Sequence, residues 1–268
     1  MLNVAKALTV PELAAMKVRG EKIVALTAYD ASFARILDEA GVDIVLIGDS
    51  LGMVVQGQAT TLPVTVDDMI YHTRCVARGA QRALLVADMP FMSYASPQWA
   101  AENAARLVRE GGAQMVKLEG GRKRAEVVRF LVEENIPVCG HLGLLPQSIH
   151  RLGGYYVQGK DEQSANALLE DALILQDAGA SLLVLECVPA VLAKEISCTL
   201  QIPTIGIGAG ADCDGQVLVL YDMLGINPGK SLRFTKNFLA EAEGIPNAVK
   251  TYVEAVRTGG FPTAKHSF

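Results

Sequence analysis

The stretch Ile44-Val45-Leu46-Ile47-Gly48-Asp49-Ser50-Leu51-Gly52-Met53-Val54-Val55-Gln56-Gly57 decides how the rest of the chain is read. Its first four residues are aliphatic without polar alternation, the pattern of a strand buried on both faces in a parallel sheet. The run stops at Gly48. Asp49 and Ser50 are thereby left at the carboxyl end of the strand, where α/β proteins bind ligands. A glycine-containing loop, Leu51 to Gly57, is expected next in place of an immediate helix, so that backbone can approach a small molecule closely.

Outward from this stretch, apolar runs recur at Ile23–Leu26, Asp43–Ile47, Ala83–Ala87, Gln114–Leu118, Ile136–Cys139, Ser181–Leu185, Pro203–Ile207 and Val217–Tyr221. Helical segments separate them, among them Ala31–Ala40, Val66–Ala77, Pro97–Glu110, Lys123–Glu134, Gln163–Ala178 and Ala190–Cys198. Strand and helix alternate eightfold in 268 residues without a linker or a shift in composition, which predicts an α/β chain forming one (β/α)8 TIM barrel over residues 1–268. A doubly wound open sheet competes with it, because strand order is invisible in a sequence. The last unit is less regular, with only a short piece around Gly210–Gly215 between the seventh and eighth runs. Thr9 with Glu12 reads as a capping box opening an amino-terminal capping helix, with Pro11 in its first turn. Lys236–Arg257 reads as a closing helix, and GGFPTAKHSF as an extended coda available to a neighbour.

Half of the residues are apolar, ample for one core, and the net charge of −5 with pI near 5.5 gives no reason to expect nucleic acid. No membrane span or signal peptide is read, since the amino terminus lacks an uninterrupted hydrophobic region before a cleavage site. Cys75, Cys139, Cys187, Cys198 and Cys213 are odd in number and lack CxxC spacing, which suits reduced cytoplasmic thiols better than disulfides or zinc.

Ionisable groups stand at the ends of five consecutive strands. The second gives Asp49 with Ser50, the third Asp88, the fourth Lys117 and Glu119, the fifth His141 and the sixth Glu186. In a barrel these ends converge on one mouth. Several end almost wholly apolar runs, LLVAD closing on Asp88 and LLVLE on Glu186, and a buried carboxylate needs a partner. A divalent cation is the simplest one. Mg²⁺ takes one or two protein carboxylates and draws its other oxygens from water and substrate. Two aspartates leave such a site near neutral, so it can accept an anionic chelator, and Lys117 is placed to hold a carboxylate. An α-keto acid suits it: the ion polarises the carbonyl and Glu186, displaced around the barrel, acts as base toward the neighbouring C–H.

Each residue also has an ordinary explanation. Asp49 or Asp88 alone could cap a following helix. Lys117 and Glu119, at i and i+2, could form a structural ion pair. His141 alone is more simply a hydrogen-bonded strand-end histidine. Five successive strand ends, however, exceed what capping requires. Gly206–Gly210 reads as a phosphate loop or a tight turn, and Met89, Phe91, Met92, Tyr94 and Trp99 as packing or as the wall of a flat-ring pocket. The long connection Leu142–Asp161 is read as a lid or part of the mouth. Lys22, Arg35, Arg122, Lys123 and Arg124 are read as solvated charge.

The stretches LTAYDASFA, GDSLGMVVQG, TLPVTVDDMIYHT, VADMPFMSY, VKLEGG, GHLGLLPQ, LECVP, IGIGAG, YDMLG and HSF together resemble the ketopantoate hydroxymethyltransferases nearly end to end, with no departure at a chemically important position. The resemblance implies a TIM barrel of pantothenate and coenzyme A biosynthesis. It would transfer a one-carbon unit from 5,10-methylenetetrahydrofolate to 3-methyl-2-oxobutanoate, giving 2-dehydropantoate. Asp49 and Asp88 would ligate Mg²⁺, with Glu119 in the metal environment. Ser50 and Lys117 would bind the keto acid, with His141 near it, and Glu186 would accept the proton. It also implies a cytoplasmic homodecamer. A lyase or mutase of the phosphoenolpyruvate mutase and isocitrate lyase group is the nearest enzyme alternative, although no cysteine stands where the lyases' general acid would. A keto-acid sensor without turnover is the non-enzymatic one.

Overall fold

The computed structural model describes residues 7–227 and 232–268. The start of the amino-terminal segment read above, residues 1–6, lies outside the described residues.

Eight strands pair in parallel, in chain order, and the last closes on the first. They are β1 (Ile23–Thr27), β2 (Ile44–Ile47), β3 (Leu84–Asp88), β4 (Met115–Glu119), β5 (Val138–Gly143), β6 (Leu182–Glu186), β7 (Thr204–Ile207) and β8 (Gly215–Leu218). Neighbouring parallel strands require crossovers, and helices supply all but the last, since residues 208–214 join β7 to β8 without one. In order, the helices are α1 (Val10–Arg19), α2 (Ala31–Glu39), α3 (Leu51–Val54), α4 (Val66–Ala77), α5 (Pro97–Arg106), α6 (Ala125–Glu133), α7 (Ile149–Leu152), α8 (Glu162–Asp177), α9 (Ala190–Thr199), α10 (Leu220–Met223) and α11 (Ile245–Arg257). The closed sheet excludes the doubly wound alternative, whose outer strands would be unpaired on one side. β1, β3 and β4 are buried at every residue, as continuous apolar runs require when one face meets the barrel interior and the other the helices.

Inside the barrel, Ala25, Ile44, Leu46, Val86, Cys139, Leu182, Val184, Ile205 and Val217 surround the stem of Lys117. The interior is a packed apolar column that turns polar at its carboxyl-terminal mouth. At the opposite end α1 buries Leu13 and Met16. Its Lys17 Nζ donates to Asp214 Oδ2 at 2.7 Å and to the Ser197 carbonyl at 2.8 Å. The amino-terminal helix thus stoppers the bottom of the barrel.

Local departures from expectation have identifiable causes. Thr9 is the N-cap of α1 but makes no side-chain cap bond; Glu12 pairs instead with Arg19 at 2.7 Å, so the capping box does not form. Leu51–Val54, expected as loop, makes one helical turn. The eighth strand is Gly215–Leu218, because Gly215 pairs with Ile23, and Leu220–Met223 is already helical. The closing helix begins only at Ile245, after Gly244 adopts φ +85°, with Pro246 in the first turn. Within Lys236–Arg257, the residues Leu239–Glu241 form a separate 3-10 turn. The terminal segment folds back on its own barrel. Phe261 packs edge-on against Phe238, and the Phe268 carbonyl accepts from the Ala190 N–H at the start of α9 at 2.8 Å.

Among the described residues no helix is long and apolar enough to cross a membrane. All five cysteines are free thiols.

Candidate active site

The strand register sets out the site. Asp88 lies beside Lys117 across β3 and β4, Glu119 beside His141 across β4 and β5, and Gly143 beside Glu186 across β5 and β6. Residues two apart on a strand face the same side, so Lys117 and Glu119 both point into the mouth.

Contacts join six of the seven predicted residues, Asp49, Asp88, Lys117, Glu119, His141 and Glu186, into one cluster. Lys117 Nζ lies 2.8 Å from Asp88 Oδ1 and 3.4 Å from His141 Nδ1. Asp88 Oδ2 accepts from the Asp49 backbone N–H at 3.0 Å. His141 stands between two acids, its Nδ1 3.6 Å from Glu119 Oε1 and its Nε2 3.2 Å from Glu186 Oε2. Ser50 sits at the edge, where its Oγ meets the Tyr29 hydroxyl at 2.9 Å. Gly48 makes room for this corner: a Cβ there would lie 2.6 Å from Ser50 Oγ and 3.7 Å from Asp88 Oδ2. Beyond Glu186 the chain turns through Cys187 at φ +48°, a left-handed conformation that costs a non-glycine residue of order 1–3 kcal/mol.

Four acids and one ammonium give the mouth an excess of negative charge, and the proton affinities follow from it. Burial, then the charge of Asp88, pushes Asp49 up to about 7. Burial, then Asp49, drives Glu119 well above the usual carboxylate range. Burial raises Glu186 to about 7, with Asp88 adding to the rise and Lys117 opposing it. Burial alone would lower Lys117, but Asp88 and Glu119 outweigh it, so its pKa is raised and it stays charged. Burial and then Lys117 hold His141 well below its ordinary value, hence neutral.

The donor set suits a hard cation: it is all oxygen, its charge is uncompensated, and Asp88 Oδ1 is buried with only the Lys117 contact and no aligned hydrogen bond. Glu119 is more fully engaged, because its Oε2 accepts from the Gln147 backbone N–H at 3.1 Å while Oε1 faces His141. Among the described residues no three His, Cys, Asp or Glu side chains form a ready-made metal set. The aspartates are therefore the donors on offer, with Glu119 behind them.

The sequence reading missed two polar residues here. Tyr29 backs Ser50, and Gln147 donates to Asp49 Oδ2 at 2.8 Å; Tyr94, read as packing or pocket wall, is buried beside Glu119. Motifs around them were visible, but neither of the two breaks an apolar strand with a charge. A cavity of about 60 Å³ opens beside Glu119, lined by Phe91, Met92, Tyr94, Arg124, Gln147 and Ser148 among others. Arg124 lies over the Tyr94 ring at 4.9 Å rather than pointing away into solvent, and Trp99 does not line the cavity. Gly206 and Ile207 end β7, and the chain bends sharply at Gly208–Gly210: a Cβ on Gly208 or Gly210 would press on Phe234 or Ala190, and the Gln216 amide holds the Gly210 carbonyl. The connection after β5 carries Gln147 into the mouth through a 3-10 turn, Pro146–Ser148, followed by α7.

The sequence model of ketopantoate hydroxymethyltransferase matches residues 7–264. The chain belongs to this family. Relatives named 3-methyl-2-oxobutanoate hydroxymethyltransferase include that of Nitrosococcus oceani, 61% identical over 97% of this chain and 99% of the relative, and that of Burkholderia multivorans, 61% identical over 98% and 96%. The chain is thus a ketopantoate hydroxymethyltransferase family enzyme, a transferase by kinship. Its fold is similar to that of 2,3-dimethylmalate lyase of the PEP mutase/isocitrate lyase superfamily (TM-score 0.58, 16% identity, covering 81% of this chain and 82% of that one). Phosphoenolpyruvate phosphomutase from Streptomyces platensis subsp. rosaceus is a further neighbour (TM-score 0.61, 13% identity, 81% and 83% covered). At such identity the likeness speaks for the barrel alone.

Proposed function

We propose that the whole chain acts as one catalytic unit that transfers a hydroxymethyl group from 5,10-methylenetetrahydrofolate to 3-methyl-2-oxobutanoate, with Mg²⁺ held by Asp49 and Asp88. The observation that carries this reading is the unbroken line of contacts from Asp49 through Asp88, Lys117 and His141 to Glu186. It supports a cation site at one end and a base at the other.

A cation held by Asp49 and Asp88 would supply Lewis acidity toward an α-keto acid. The protein's side chains do the rest. Lys117, always charged, attracts the substrate carboxylate, and Ser50 Oγ offers a hydrogen bond beside Asp88. Glu119, outside the ligand pair, keeps Lys117 and His141 in place. Glu186 is the most accessible of the acids, with a side chain 15% exposed, and its pKa near 7 suits a group that must take a proton and give it back. It removes the C3 proton of the keto acid, and neutral His141 packs beside its carboxylate, with Nε2 3.2 Å away. The carbon so activated forms the new C–C bond with the donor's methylene carbon, water supplies the hydroxyl oxygen, and tetrahydrofolate leaves. Phe91 and Met92, half exposed at the cavity beside Glu119, offer apolar surface on the side from which a flat donor would approach.

The family kinship also supports a cytoplasmic homodecamer. Val18, Tyr71 and Val191 are exposed large apolar side chains, available to neighbouring copies.

Deuterium exchange at C3 of 3-methyl-2-oxobutanoate tests the chemistry. Exchange is expected with Mg²⁺ and the full chain, followed by 2-dehydropantoate once methylenetetrahydrofolate is added. Absence of both in folded, metal-supplied protein would overturn the assignment, and tight keto-acid binding without turnover would instead identify a sensor.

A further inference from the structure

Gln147 has no part in the chemistry above, yet its polar atoms are spent on the residues that do. It is 7% exposed. Its Nε2 donates to Asp49 Oδ2 at 2.8 Å and to the Met89 carbonyl at 3.0 Å. Its backbone N–H donates to Glu119 Oε2 at 3.1 Å. Its Oε1 accepts from the Tyr94 hydroxyl, and that hydroxyl oxygen lies 3.4 Å from the Glu119 backbone N–H. The amide can face only one way: turned over, its oxygen would confront two acceptors, Asp49 Oδ2 and the Met89 carbonyl, and its NH₂ group would displace the Tyr94 donor.

One loop residue therefore ties the end of β2 to the end of β4 and to the segment after β3. We propose that Gln147, with its amide anchored by Tyr94, is a positioning residue that orients the carboxylates of Asp49 and Glu119 together, so that Asp49 presents a single oxygen, Oδ1, to the cation. This rests on the cation reading given above. Neutral donors behind ligating carboxylates commonly set metal affinity by one to two orders of magnitude, and a neutral amide does this without adding to the negative charge of the mouth. The β5 to α7 connection thereby becomes part of the site's framework.

The test uses Mn²⁺ as a paramagnetic probe on the full chain, with thermal unfolding measured in parallel. Gln147→Ala is expected to weaken Mn²⁺ binding about tenfold while leaving the unfolding temperature within a few degrees of the parent. Gln147→Leu, which restores bulk but not the amide, should be equally weak. Tyr94→Phe should weaken Mn²⁺ binding by a smaller factor, and add nothing in the Tyr94→Phe/Gln147→Ala double variant, since the hydroxyl acts through the amide. Parent-like Mn²⁺ affinity in both Gln147 variants would overturn the inference, as would strictly additive effects for the role of Tyr94. Lowered unfolding temperature with unchanged Mn²⁺ affinity would make the residue merely structural. If Gln147→Ala does not fold, Gln147→Leu and Tyr94→Phe decide by the same readout. A parent protein that binds no Mn²⁺ would instead count against the cation reading itself.

Discussion

At Gly143 the backbone takes φ +93°, and a Cβ would lie 2.1 Å from the Glu186 carbonyl oxygen and 2.8 Å from Val188. That oxygen accepts from the Leu144 N–H at 2.8 Å, so the two strand ends are locked at contact distance. Gly143→Ala is expected to push Glu186 out of line and to strain the turn. The stability loss should be about 1–3 kcal/mol by chemical denaturation, with C3 exchange falling at least about tenfold. Glu186→Gln keeps shape and removes the base: kcat should fall at least about 100-fold, with Mg²⁺ affinity by calorimetry unchanged. Asp88→Ala should do the reverse, weakening Mg²⁺ far more than it lowers the unfolding temperature; equal affinity in variant and parent would remove Asp88 from the ligands. The charged members of this cluster were legible in sequence because each interrupts an apolar run, and burying an acid demands a reason. Gln147 and Tyr29 were not, because a neutral amide or phenol in a loop carries no periodicity and no charge to mark it.

For the elements, legibility tracked aliphatic composition. β2, β3 and β6 are runs of Val, Ile and Leu that reveal themselves, whereas β8 opens with Gly215 and Gln216, whose place in the sheet is fixed by pairing with β1 and β7. Similarly, a Thr-x-x-Glu spacing fits a capping box, but Arg19 takes the glutamate and Glu21 completes the cluster. Competing partners one or two helical turns away are hidden from a four-residue pattern. α1 itself is held by Lys17, whose side chain is 14% exposed and paired with Asp214 at 2.7 Å. Lys17→Met should cost about 1.5–3 kcal/mol, the range for a charge-assisted bond, and hydrogen exchange should quicken in α1 ahead of the strands.

Across the whole molecule the unbalanced charge of the mouth governs the response to pH. Asp49 and Glu186 hold their protons up to about pH 7 in the folded chain, whereas the unfolded chain releases them near pH 4. The folded state binds more protons in that window, so the stability these groups contribute is present below it and is lost as pH rises through 7. Metal-free protein is expected to unfold at progressively lower temperature between pH 5 and pH 8. Mg²⁺ should restore stability chiefly at the alkaline end, where the Asp49 carboxylate is free to meet it. An unfolding temperature indifferent to Mg²⁺ at pH 8 would contradict the cation site. Sedimentation addresses the assembly: ten copies of a 28.5 kDa chain should run at roughly 285 kDa.

The ring of strands has its own effect on how the protein is made. Because Ile23 finds its partner in Gly215, the first strand emerges from the ribosome about 190 residues before the strand that must flank it. At ~5–20 residues per second a nascent chain spends roughly 10–40 s with that edge unprotected, in reach of chaperones and of other unfinished copies.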